Sequence, residues 1–376
     1  MAGIYLHVPF CKQACHYCDF HFSTNTEIRK DLVHAMGEEI SLQRNYLQGE
    51  PLQTVYFGGG TPSLLDKKEL EFLLKTIYRI HKVSAAAEIT LETNPDDLSH
   101  SKLVDLRSLG INRLSIGIQS FDDEILRYLN RIHFAATAIR SVELALETGF
   151  DNISIDLIYA IPGLTTEAWK RNIARAIQLQ PQHISAYTLT IEEKTAFGKW
   201  FAQGKLIPVD ETLAAEQLEL LMSELSSAGY RQYEISNFAR PGYESRHNSS
   251  YWKGAKYLGI GPSAHSYNQT TRQYNASNNH LYVRSIKEGK IPAEKEVLKK
   301  GDHINDYILT TLRTDIGCNL SVLKRDFDYD LLSLHSGYLH ELQNHNLISV
   351  EDDHLKLTEA GRLLADKISS DLFLIE

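Results

Sequence analysis

Cysteine is too scarce here for a disulfide framework: the chain has four, and Cys318 stands far from the other three. That usage fits a reducing cytoplasm, where clustered thiols signal metal or redox chemistry. No leader is expected, because the start MAGIYLHVPF has no basic segment followed by a long apolar run. No apolar stretch approaches the ~20 residues that cross a bilayer. Basic charge is in deficit, with 39 Lys and Arg against 48 Asp and Glu, a net of −9. The deficit is concentrated in residues 301–376, where six basic side chains face fourteen acidic ones. A tail so acidic argues against a C-terminal nucleic-acid reader. Low-complexity tracts and internal repeats are absent apart from a strand–helix rhythm.

That rhythm fills the first half. Six short runs rich in β-branched and aromatic residues recur: GIYLHV (3–8), TVYFG (54–58), EITLE (88–92), RLSIGI (113–118), NISIDLI (152–158) and HISAYTL (183–189). Between them, segments such as 67–81 and 135–148 repeat apolar residues at three- and four-residue steps, the period of an amphipathic helix. The pattern predicts six βα units around a parallel sheet, with runs apolar on both faces as a helix-covered sheet requires. Unusual residues follow each run: cysteines after the first, GGGTP after the second, Glu92, Gln119, Asp156, then Thr188 and Thr190. Such residues at the C-terminal ends of parallel strands predict a barrel-type site, incomplete because six units are found and not eight. At about residue 230 the composition turns to Tyr, Gly and Ser without helical periodicity. After about 300 a helical pattern returns, and LISVEDDHLKLTEAGRLLAD reads as strand, turn, strand, helix.

Three of the four cysteines fall within CKQACHYCDF (11–20), at Cys11, Cys15 and Cys18. A single loop carrying three thiolates can wrap a compact inorganic ligand. One reading is a structural zinc site of Cys3His type, with His7, His16 or His21 as fourth ligand and no radical chemistry. The other is a [4Fe–4S] cluster with one iron left open to an exchangeable ligand. Cys318 reads as a small buried apolar residue.

The spacing C-x3-C-x2-C resembles the radical S-adenosylmethionine (SAM) superfamily. There the open iron takes the amino and carboxylate groups of SAM, which an electron through the cluster cleaves to a 5′-deoxyadenosyl radical. More closely, YLHVPFC…C..CDF, VYFGGGTPS, LETNP, RLSIGIQSF, LNRIH and IDLIYAIPG resemble the oxygen-independent coproporphyrinogen III oxidase group, densest from Ile4 to Leu189. The resemblance implies a SAM pocket lined by Tyr5, Tyr17, Gly59, Gly60, Thr61 and Glu92, together with Gln119, Arg131 and Asp156. Taken singly, Arg131 also reads as a surface ion-pair partner and Asp156 as a buried carboxylate satisfied by backbone. The implied fold is α/β: an incomplete (β/α)6-type radical SAM barrel over 1–230, a connecting region over 231–295, and a smaller winged-helix-like α+β domain over 296–376.

Two departures from the oxidases matter. They carry a cysteine two places after the third, where this chain has Phe20, and a long arm before the cluster, where this chain has ten residues. Both point to a sister branch of heme chaperones, as does His247-Asn248-Ser249-Ser250-Tyr251-Trp252, an HNxxYW motif associated with heme binding. The branch implies heme at His247, Tyr251 and Trp252, with His265 in reserve, and transfer of heme to an acceptor, respiratory or membrane-associated. It further implies a cytoplasmic protein with peripheral membrane association or dimerisation. The other reading of the motif is structural: His247 and Asn248 bond a loop while Tyr251 and Trp252 plug the barrel. The alternative function is the oxidase itself, which decarboxylates propionate side chains through the adenosyl radical.

Overall fold

Strand and helix alternate from the first residues of the computed structural model, which describes residues 2–375. The order is β1 (Ala2–Val8), α1 (Arg29–Leu42), β2 (Leu52–Gly59), α2 (Lys67–Ile80), β3 (Val83–Thr93), α3 (His100–Ser108) and β4 (Arg113–Gln119). Then follow α4 (Asp123–Tyr128), α5 (Ala135–Glu147), β5 (Ile153–Tyr159), α6 (Thr166–Leu179) and β6 (His183–Thr188). The six strands pair in chain order and all in parallel. Local chemistry sets the boundaries: α2 starts in a capping box, in which Asp66 and Glu69 each accept the other's backbone N–H.

Successive side chains on a strand point to opposite faces. One face presents Ile4, Leu6, Val55, Phe57, Leu91, Ile116 and Ile155, all buried in the core shared with the helices. The opposite face is equally buried but polar: Thr54, Glu88, Thr90, Arg113, Ser115, Ser154, His183 and Ser185 are each less than a tenth exposed. The expectation of runs apolar on both faces therefore holds for one face only. Curvature of the sheet turns the polar face inward, where Ser154 Oγ lies 2.8 Å from His183 Nδ1, Thr54 Oγ1 2.7 Å from His247 Nδ1, and Ser185 Oγ donates to Asn237 Oδ1 at 3.0 Å.

Beyond β6 come α7 (Ala196–Ala202), α8 (Glu211–Ser227), β7 (Arg231–Glu234), β8 (Asn237–Ala239), α9 (Arg246–Trp252) and β9 (Lys256–Ile260). Then come β10 (His265–Tyr267), β11 (Thr271–Asn275), α10 (Asn279–Lys287) and β12 (Ala293–Val297). β8 and β7 extend the sheet antiparallel beyond β6, whereas β9 pairs in parallel with β1 at the other side and leads to β10–β12, twelve strands in all. A seventh parallel strand and the short helix α9 thus emerge from the stretch that shows no periodicity. β9 has five residues and α9 seven, too few for a period to register. The sheet remains open, as an incomplete barrel requires.

A second, separate core unites α11 (Lys300–Leu312), β13 (Cys318–Asn319), α12 (Leu320–Phe327), β14 (Ile348–Glu351) and β15 (His354–Leu357). β13–β15 form a small antiparallel sheet, and a helix over Glu359–Arg362 follows β15, giving the strand, turn, strand and helix read from the tail. Cys318 is fully buried in this core. Among the described residues no helix is long and apolar enough to cross a membrane.

Candidate functional site

The loop after β1 is closed at its base, where Ser23 N donates to Pro9 O at 2.9 Å and Cys11 N to Ser23 O at 3.1 Å. Cys11, Cys15 and Cys18 are free and half-buried on it. Gly60, just past β2, packs against this base, and a Cβ there would lie within 2.9 Å of backbone atoms of Val8 and Phe10. Only glycine admits that approach.

A polar arc joins two of the thiols. Thr61 Oγ1 donates to Cys11 Sγ at 3.4 Å, and Asn94 Nδ2 donates to Thr61 Oγ1 at 3.2 Å. Arg131 Nη2 donates to Asn94 Oδ1 and to Gly117 O, both at 2.7 Å, while its Nη1 meets Cys15 Sγ at 3.5 Å. Tyr17 packs beside Cys15 and Arg131, and burial raises its phenol. Burial also pushes the Cys18 thiol up to about 12 and that of Cys11 upward. Such thiols ionise when a metal takes them, and the donors from Thr61 and Arg131 suit sulfurs that then carry negative charge.

The histidines that would close a zinc site are held elsewhere. His7 bonds Tyr5 OH at 3.1 Å and His21 O at 2.8 Å. His16 bonds Tyr128 O at 2.9 Å, with its ring against Phe197 and Trp200. His21 Nε2 bonds Asn279 Oδ1 at 2.8 Å. Among the described residues no three His, Cys, Asp or Glu side chains converge to hold a single metal ion. The donors that the loop itself offers are Cys11, Cys15 and Cys18, a set whose chemistry fits a [4Fe–4S] cluster.

Below the loop, Glu92 accepts from Tyr56 OH at 2.8 Å and from Gly59 N at 3.2 Å. Gly59 holds φ +107°, a conformation that glycine allows. Burial raises the Glu92 carboxyl to about 7 and that of Asp156 to about 6. Asp156 accepts from Ser115 Oγ at 3.3 Å. The buried guanidinium of Arg113 opposes both shifts by favouring the ionised carboxylates. Gln119, at φ +68°, folds over Gly117, where a Cβ would sit 2.9 Å from its amide nitrogen. Gly59, Gly60, Thr61, Glu92, Gln119, Arg131 and Asp156 thus gather at one end of the lumen beside the cysteine loop, with Tyr5 and Tyr17 in its walls. Asn94, Tyr56, Ser115 and Arg113 belong to the same network and escaped the sequence reading. Their signals were Asn94 within LETNP and the alternation that sets Tyr56 two places from Gly58.

α9 closes the opposite end. Glu88, on β3, accepts from Arg246 N at 3.1 Å and His247 N at 3.0 Å, and the Ser245 side chain caps the helix by accepting from Asn248 N at 3.3 Å. His247 is 1% exposed. Its Nδ1 lies 2.7 Å from Thr54 Oγ1 and its Nε2 2.8 Å from Tyr251 OH. Burial lowers the imidazole to about 3, so it stays neutral. Tyr251 and Trp252 face outward into a cavity of about 1,590 Å³ that runs from Tyr5 and Phe20 to His303 and Phe327 of the C-terminal unit. Its walls mix aromatic side chains such as Tyr257 and Tyr307 with charged ones such as Arg231, Arg272 and Asp306, and His265 lines it. The volume exceeds the roughly 300–1,000 Å³ that enclose drug-sized ligands.

Comparison with known proteins shows the family and the fold. The model of the radical SAM superfamily matches residues 5–176. The chain is 35% identical over 372 residues to the heme chaperone HemW of Bacillus subtilis (strain 168), with 98% of each chain covered. It is 39% identical over 267 residues to the heme chaperone HemW of Escherichia coli (strain K12), covering 70% of this chain and 69% of that one. Coproporphyrinogen III oxidase (HemN) from Escherichia coli, a radical SAM enzyme of known structure, shares the fold at TM-score 0.85. That match covers 99% of this chain and 90% of the other at 24% identity.

Proposed function

The chain belongs to the heme chaperone HemW family within the radical SAM superfamily, and on that premise we propose that it binds heme as cargo and passes it to an acceptor protein. The observation that carries the proposal is the placement of the HNSSYW helix. It seals the lumen with His247 and turns Tyr251 and Trp252 into a cavity large enough for a macrocycle. In this reading Cys11, Cys15 and Cys18 hold a [4Fe–4S] cluster, which when bound supplies an electron and an open iron to SAM. Gly59, Gly60 and Thr61 bring backbone close to SAM, and Glu92, Gln119, Arg131 and Asp156 bind and orient it. Arg131, braced on Asn94 and Gly117, holds the Cys15 side of the loop at a fixed distance from the lumen. The acceptor is a protein, and residues lining the cavity toward the C-terminal unit would meet it.

The test is anaerobic reconstitution, with iron and sulfide counted and the spectrum recorded, followed by heme titration. Stoichiometric heme binding is expected, and its absence from reconstituted protein would sink the proposal.

The fold shared with coproporphyrinogen III oxidase, together with the gathered SAM-pocket residues, favours one second reading: that the chain is itself such an oxidase. Incubating reconstituted protein with SAM, a strong reductant and coproporphyrinogen III decides it. Protoporphyrinogen would establish the oxidase, and intact substrate would leave the chaperone.

A further inference from the structure

We propose that Arg113 is a positioning residue of the SAM site, the fixed cation in the lumen that holds the Asp156 carboxylate ready for SAM. The inference rests on the SAM reading above. Arg113 opens β4 on the inward face, beside Thr90 of β3. Side chains on one face recur at every second residue, so Arg113 stands in the row below Ser115. Glu92 is level with Ser115, and Ser115 Oγ donates to Asp156 Oδ1 at 3.3 Å. Both carboxyls therefore gather above the arginine. Arg113 is 1% exposed, and its Nε has no hydrogen-bond partner. Among the described residues its guanidinium forms no ion pair. A cation buried in this way acts through space, where a low dielectric carries charge farther than water does.

Its other neighbours are already committed. Glu88 on β3 is taken by the first amides of α9. Burial keeps His183 on β6 and His247 on α9 neutral, and the phenols of Tyr56 on β2 and Tyr233 on β7 stay protonated for the same reason. Arg131, the second cation near the site, is braced on Asn94 and Gly117 beside Cys15. For Asp156, burial raises the carboxyl to about 6, and Arg113 is the strongest influence in the opposite direction. For Glu92 the hydrogen bonds from Tyr56 and Gly59 come before it. Arginine keeps its proton throughout the working range, so its support of Asp156 does not vary with pH.

SAM titration into reconstituted full-length protein across pH 6 to 9 tests this, beside infrared titration of the carboxyls without SAM. Arg113→Met keeps the bulk and removes the charge. Asp156 should then titrate about one pH unit higher. SAM affinity should fall about fivefold relative to wild type near pH 6 and match it by about pH 8. Arg113→Lys should leave both curves near those of wild type. In an Asp156→Asn background, adding Arg113→Met should change little more, and this pair decides the matter if Arg113→Met alone is unstable. A loss equal at every pH, or one that lysine does not restore, would overturn the role. An Asp156 infrared band unmoved by Arg113→Met would overturn it equally, even where SAM binds. Failure of wild type to bind SAM is a separate result: it would bring down the SAM reading, and this role with it.

Discussion

Glu92 is a half-buried carboxyl held by two donors. Its hydrogen bonds from Tyr56 and Gly59 favour the carboxylate, but desolvation outweighs them and raises the carboxyl to about 7. If the ionised form is what receives SAM, affinity must grow as the proton leaves. For a single group titrating at about 7, binding should be roughly tenfold weaker near pH 6 than near pH 8. Calorimetric titration of SAM into reconstituted protein across that range measures the slope. Glu92→Gln, which cannot ionise, should bind weakly at every pH and flatten the profile. A wild-type profile already flat would remove Glu92 from SAM recognition. Asp156 titrates lower, at about 6, and so contributes only to the acid limb.

Among the elements, α9 depends most on residues distant in sequence. Its first two amides, Arg246 N and His247 N, both donate to Glu88 on β3. Glu88→Leu keeps bulk but strands those two donors, a cost of about 2–6 kcal/mol at about 1–3 kcal/mol per group. Thermal unfolding should register that loss, and heme affinity should fall with it because Tyr251 and Trp252 ride on the helix. Unchanged stability would mean that water replaces the carboxylate at the helix start. The same helix marks the boundary of what sequence revealed. β1–β6 were legible because runs such as NISIDLI concentrate β-branched residues, and the cysteine loop because three thiols within eight positions have few structural uses. α9 was not, since seven residues rich in Ser, Asn and Tyr carry no measurable period. Nor could His247's burial be read, because it depends on Thr54 and Glu88, contributed by strands far back in the chain. The polar lumen was hidden differently. Its Ser, Thr and Asp alternate with outward Ile and Leu, so that each strand reads as simply apolar until the sheet is known to curve.

For the whole molecule, two cores face each other across the large cavity, and Arg313 fastens them. Its Nε and Nη2 donate to Glu234 Oε1 at 3.0 and 2.9 Å, on β7 at the edge of the large sheet. Its Nη1 reaches Asp366 at 2.7 Å, and its guanidinium lies 5.5 Å over the ring of Trp252. Glu234 is 1% exposed at its side chain, so removing the cation strands a buried carboxylate. Breaking one side of such a pair costs about 3–5 kcal/mol, and the lower end applies because Ser236 N and Asn237 Nδ2 also donate to Glu234. Arg313→Met should therefore loosen the C-terminal unit from the sheet before the barrel melts, splitting one calorimetric transition into two. Adding Glu234→Gln removes the stranded charge and should restore most of the loss, which a general packing defect at Arg313 would not allow. Heme affinity separates the consequences further. If the cavity depends on this clamp, Arg313→Met should weaken heme binding, whereas the double variant should recover fold stability without recovering the cation over Trp252. A single transition at unchanged temperature in Arg313→Met would show that the backbone bonds between the units, Ile235 N to Arg313 O at 3.1 Å and Asp315 N to Tyr233 O at 3.2 Å, hold them together without the side-chain clamp.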